Sequence, residues 1–232
     1  AQRVVGAADY NLEADNNEKN SGATYVFTAT NDGWIQEAYI KASTTGMSDY
    51  FGHSISLSAD GKTLAVGAYQ EDSFAKGING NQRNDMIENS GAVFVFIRDQ
   101  GDWPQQAYIK ASNTDQNDQF GDSISLSADG NTLAVNAYRE DSDSKGINNN
   151  ADDNNNAGDS GAVYVFRRDT GWEDATYQDN QSPWAQQAYI KASNAGSSDW
   201  FGNRLSLSGD GNTLAVSAKN EDNTLKGIIS GN

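Results

Sequence analysis

Residues 120–138 read FGDSISLSADGNTLAVNAY, and the same line is written twice more. It returns as FGHSISLSADGKTLAVGAY at 51–69 and as FGNRLSLSGDGNTLAVSAK at 201–219. A fixed period of this kind is the signature of a repeat architecture. Within the line, SISLS alternates strictly, so Ile55 and Leu57 face one way and the serines the other, as in a half-buried strand. TLAV is a second strand. The Asp-Gly between them marks a tight hairpin turn.

Working outward, each repeat carries two further strand-like runs. AVFVF (92–96) and AVYVF (162–166) are apolar on both faces, as a strand between packed layers must be. QQAYIKAS closes the repeat at 105–112 and 186–193. Four antiparallel strands per repeat, stacked about an axis, make a β-propeller blade. Phe51, Phe120 and Phe201 are the natural wedges between blades. The fold class is therefore all-β, with about three blades' worth of chain. Residues 1–50 read as a partial blade, 51–119 and 120–200 as blades, and 201–232 as a second partial blade. The repeats step by 69 and then 81 residues, and the longer step falls mostly in an inserted loop at 170–184. Propellers close with about 4–8 blades, so the ring is expected to be incomplete in this chain. Either the segment belongs to a longer protein or copies assemble to complete it.

Composition narrows the partners. The 232 residues include 32 Asp and Glu against 16 Lys and Arg, a formal net charge of -16. Nucleic-acid binding needs a cationic surplus to release counterions, and this chain has the opposite. The apolar runs are only strand-length, so membrane insertion through a helix is not expected. The opening AQRVVGAADY lacks the basic and apolar regions of a signal peptide. With no Cys, disulfides and thiolate metal sites are excluded.

The segment joining the second and third strands is the unusual part. AYQEDSFAKGIN begins at Ala68, AYREDSDSKGIN at Ala137 and AKNEDNTLKGII at Ala218. Loops ordinarily vary more than the elements they join, and these are far longer than a hairpin needs. Two readings stand. In the structural one, Asp72, Asp141 and Asp222 each clip a helical turn through the Lys four residues on. Gly77 ends that turn, and Ile78 plugs the loop onto the blade. In the functional one, Glu71, Asp72, Glu140, Asp141, Glu221 and Asp222 supply carboxylates to Ca²⁺, a hard cation that takes six to eight oxygens. Asp49, Asp118 and Asp199, each two residues before the wedge Phe, read as turn caps.

FG-x-S, then LAVGA, then SGAVFVF resembles the FG-GAP repeat, the blade unit of the integrin α-subunit propeller and of bacterial surface and secreted proteins. The resemblance covers essentially the whole chain. It departs at the GAP element, where Gly67-Ala68-Tyr69, Asn136-Ala137-Tyr138 and Ser217-Ala218-Lys219 lack proline. It departs again at the first hairpin, where a short SADGK replaces the family's calcium loop. The resemblance implies an extracellular or cell-surface location and places the long loops on one face with the connections between blades.

No catalytic residue is assigned. The single His, His53, is matched by Asp122 and Asn203 in the other copies, which suits a polar rim or channel position. GxSxG is absent, and the abundant carboxylates form pairs by chance. Trp34, Trp103 and Trp184 recur and read as packing residues. Trp172 and Tyr177 sit only in the inserted loop, so they are candidates for a specific ligand contact. The expected function is an adhesion or binding module recognising a protein or glycan through the acidic loop face, with calcium a possible cofactor. The alternatives are a structural segment assembling through blade edges into a layer or filament, and a polysaccharide-active enzyme.

Overall fold

The computed structural model describes residues 17–147, 154–169, 171, 182–225 and 227. Among the described residues every regular element is a strand. Strands β3 (Ser54–Leu57), β4 (Thr63–Ala68), β5 (Ala92–Ile97) and β6 (Gln105–Ile109) pair antiparallel in sequence order as one blade. The next blade is β7 (Ile124–Leu126), β8 (Thr132–Ala137), β10 (Ala162–Arg168) and β11 (Trp184–Lys191). Before them, β1 (Thr24–Thr30) and β2 (Gly33–Ile40) occupy the third and fourth positions of a blade. After them, β12 (Phe201–Leu207) and β13 (Leu214–Ala218) occupy the first and second.

The first strands line the inner edge, and their serines tie neighbouring blades together. Leu126 N donates to Ser56 Oγ at 2.9 Å, and Leu207 N to Ser125 Oγ at 3.0 Å. The alternating serines predicted to face away from the core thus serve as acceptors for the next blade. Ile124 and Leu126 are buried against the preceding blade, whereas Ile55 and Leu57 are 59% and 53% exposed.

Between blades lies the core. One cluster joins Val93, Val95 and Ile109 to Phe120, Leu133, Val135, Tyr164 and Trp184. The other joins Ile40 to Phe51, Leu64, Phe94 and Tyr108. The wedge prediction is met. Phe51 meets Phe94 and Phe96 edge-on with centroids 5.4 and 6.1 Å apart, and Phe120 repeats this on Tyr164 and Phe166 at 5.4 and 6.2 Å.

The fourth strand carries a bulge in each copy. Its register slips beside Phe27, Phe96 and Phe166, leaving Glu37 and Gln106 unpaired on their strands. A bulge re-aims its side chain, and here it points at the following blade. Glu37 Oε1 accepts from Trp103 Nε1 at 3.1 Å, and Gln106 Oε1 accepts from Trp184 Nε1 at 2.9 Å. Trp103 and Trp184 are accordingly packing residues between blades.

The wedge is also locked through the backbone. Phe51, Phe120 and Phe201 N–H donate to the carbonyls of Ser21, Ser90 and Ser160. The following Gly91 has φ +82, and a Cβ built there would lie 2.2 Å from Phe120 O. Only glycine permits that approach. Gly91→Ala is therefore expected to destabilise the chain by more than ~1 kcal/mol, read as a lower denaturation midpoint. Gly101→Ala, at φ +95 but in open space, should cost less.

Candidate functional site

The repeated loop is built from its base upward. Glu71 and Glu140 are 2% exposed, and each faces a buried lysine from the fourth strand of its own blade. Lys110 Nζ lies 2.9 Å from Glu71 Oε2, and Lys191 Nζ lies 2.6 Å from Glu140 Oε2. Both ammonium groups also donate to the serine of the SGAV segment, Ser90 and Ser160, at 2.6 Å. Those serine hydroxyls pass on the bond to the loop carbonyls of Glu71 and Ser73, and of Glu140 and Ser142. Burial pulls both lysines below their ordinary pKa, while the facing carboxylates pull them back up. Lys41 holds the matching place in the first partial blade and donates to Ser21 Oγ and Gly22 O.

The neighbouring aspartates do a different job. Asp72 Oδ1 accepts from Asn89 N at 2.7 Å, and Asp141 Oδ1 from Asp159 N at 2.6 Å. Asn89 and Asp159 are left-handed, with φ of 54° each. Their carbonyls in turn accept from Gln119 N and Trp200 N, at 3.1 Å each. Gln119 and Trp200 are themselves left-handed, at φ 55° and 58°, and Tyr50 matches them at 54°. Such a conformation in a bulky residue persists only where its surroundings over-determine it.

Two parts of the structural reading are corrected. No helical turn forms between Asp72 and Lys76, because Asp72 is spent on Asn89 across the loop. Gly77 is left-handed as expected, at φ 70°, but the Gly-Ile step then runs along the outer edge of the fourth strand. Lys110 N donates to Gly77 O at 2.8 Å, and Asn79 N to Tyr108 O at 2.7 Å. In the next blade the same step is a short fifth strand, β9 (Gly146–Ile147), on β11. The loop thereby covers an edge that would otherwise present unpaired backbone groups.

The calcium expectation meets a physical obstacle at Glu71 and Glu140, because an ammonium group already stands where a cation would. Among the described residues no three acidic or histidine side chains gather as a metal group. Glu221 and Asp222 are exposed, and Glu221 Oε1 accepts from Asn194 Nδ2 at 2.8 Å. Trp172 and Tyr177 lie outside the described residues. Asp49, Asp118 and Asp199 are caps, accepting from Gly46 N, Asp115 N and Gly196 N at 2.7, 2.9 and 2.8 Å. Burial, reinforced by neighbouring carboxylates, raises Asp49 to about 6 and Asp118 well above its ordinary value.

Above this clamp runs a second set of side chains that the repeat reading passed over. Each blade pairs the residue before the wedge Phe with the residue after the second strand. Tyr50 meets Tyr69 with centroids 5.5 Å apart, Tyr138 OH donates to Gln119 Oε1, and Lys219 Nζ lies 5.6 Å over the Trp200 ring. The pairs connect across blades. His53 stacks on Tyr69 at 4.4 Å and reaches Asp122 Oδ1 at 3.1 Å, while Arg204 Nη1 approaches Asp122 Oδ2 at 3.1 Å. Tyr138 meets Trp200 at 5.6 Å. The signal in the sequence was variation inside an otherwise fixed frame: Tyr50, Gln119 and Trp200 at one place, and His53, Asp122 and Asn203 at another.

One comparison with known proteins identifies the repeat. The FG-GAP repeat model matches residues 34–96, 103–166 and 184–232, and the chain belongs to this family. Its blades are of the β-propeller type. No curated protein matches the chain. Among solved structures, a Bacteroides uniformis protein assigned as a 6-phosphogluconolactonase is 16% identical, with a TM-score of 0.36. The alignment covers 84% of this chain and 57% of that one.

Two substitutions test the clamp. Glu140→Gln leaves the Lys191 ammonium buried without its countercharge and should cost about 3–5 kcal/mol. The double variant Glu140→Gln/Lys191→Met should recover part of that loss in the same denaturation assay. Thr44 offers the opposite test. Asn113 Nδ2 donates to Glu140 Oε1 at 2.9 Å, but at the matching place Thr44 Oγ1 and Glu71 Oε1 are both buried without a partner. Thr44→Asn should supply the missing bond and stabilise the chain by about 1 kcal/mol.

Proposed function

We propose that this chain is the binding module of a secreted or cell-surface protein, and that it works through the face bearing the long loops. The observation that carries the reading is the strip from Tyr50 to Lys219, half-exposed aromatic and polar side chains continuous over three repeats. Its members sit on rigid ground, because the clamp beneath fixes their backbones. Multiplicity suits recognition better than catalysis, which needs one distinct centre. The paired Glu and Asp residues serve the fold in this reading, and binding proceeds without calcium at the three loops.

A second reading, assembly through blade edges, is favoured by one observation. Tyr25, Phe27 and Trp34 are 48%, 53% and 74% exposed, whereas their counterparts Phe94, Phe96, Tyr164, Phe166 and Trp184 are buried between blades. Exposed apolar faces of this kind mark interaction sites.

Labelled chain titrated onto intact bacterial and animal cells is expected to bind saturably. EDTA should leave that binding unchanged, and added Ca²⁺ should leave the melting temperature unchanged. A calcium-dependent rise in melting temperature would restore the metal assignment. Absence of saturable binding, with concentration-dependent growth in light scattering, would favour assembly.

A further inference from the structure

The strip has a chemical character of its own. In a chain of net charge -16, it carries four basic side chains: His53 and Arg204 on the Asp122 carboxylate, Arg139 over the Tyr138 ring and Lys219 over the Trp200 ring. His53 is 38% exposed and Arg204 is 70% exposed, so both are open to a ligand. Arg139 lies over the Tyr138 ring at 5.6 Å. Two buried donors, Arg139 Nε and Trp200 Nε1, find no acceptor in the protein.

We propose that this strip binds an extended glycan laid across successive repeats. The reading rests on the chain being a binding module and names the ligand class for that face. Flat aromatic rings that are partly exposed stack on the C–H faces of pyranose rings, while a side chain that is both apolar and polar keeps one edge wet. Tyr50 with Tyr69, tilted by 33°, and Tyr138 with Trp200, edge to face at 69°, supply half-exposed rings in adjacent blades. The Asp122 carboxylate and the Arg204 guanidinium, 3.1 Å apart, add an acceptor and a donor side by side. A sugar hydroxyl both donates and accepts, so a mixed line of this kind matches it better than a run of one charge. The strip returns once per blade, which suits a ligand that repeats along its length, although its residues differ from copy to copy. An acidic peptide would meet the repulsion of the whole chain.

Calorimetry on the whole chain tests this against hexasaccharides of β-glucan, α-glucan, β-mannan, xylan and a uronate, with hexaglutamate as the peptide comparison. At least one saccharide is expected to bind with Kd below about 1 mM. Tyr69→Ala and Trp200→Ala should weaken that binding about tenfold or more. Tyr69→Phe and Trp200→Phe, which keep a ring, should retain it, and their melting curves confirm folding. Binding of none of the saccharides, binding of hexaglutamate alone, or equal binding by folded Ala variants overturns the proposal. Saturable cell binding that survives those same variants would leave the binding-module reading standing while the glycan site falls.

Discussion

A lysine ammonium buried at the end of the fourth strand in each of the two four-stranded blades dictates the rest of this structure. Taking such a charge out of water costs several kcal/mol even after relaxation, so it must be answered by a carboxylate and by hydrogen bonds. Lys110 and Lys191 are answered by Glu71 and Glu140 and by the serines ahead of the third strand. That requirement reaches across the blade and fixes the base of the long loop. It explains why a polar loop is written almost identically three times. The first half of the loop is an internal part, held as tightly as a strand, while the tip is free to vary.

From that fixed base, order passes to the next blade. Asp72 and Asp141 hold Asn89 and Asp159, whose carbonyls hold the residues before each wedge phenylalanine. The wedge itself is locked where Gly91 lets Phe120 O approach. Each blade therefore sets the position of its successor through backbone bonds as well as apolar contact. The left-handed residues Tyr50, Gln119 and Trp200 are products of this coupling, and it aims their side chains along a common strip. The device that closes the fold thus also orients the side chains of the strip.

Much of this was legible in the sequence. The four strands, the Asp-Gly hairpin, the wedge phenylalanines, the cap role of Asp49, Asp118 and Asp199 and the packing role of Trp103 and Trp184 all follow from periodicity and turn chemistry, whereas Trp34, read the same way, is exposed. What could not be read was long-range partnering. Lys110 in AYIKAS and Glu71 in the loop are 39 residues apart, and nothing local marks them as a pair. The acidic pairs therefore resembled cation ligands, and Asp72 looked ready to clip a nearby lysine. The strip was hidden for a related reason. Its members come from three places in each repeat, meet in pairs within a blade and join into one line only when blades stack.

The lysines at the end of the fourth strand are sealed inside an ion pair that organises the loop. Side-chain NMR of ¹⁵N-labelled lysine measures this directly, through hydrogen exchange at the ammonium groups of Lys110 and Lys191. Exchange is expected to be much slower than at the exposed Lys219, with no change on adding millimolar Ca²⁺. Exchange as fast as at Lys219, or signals displaced by calcium, would contradict it.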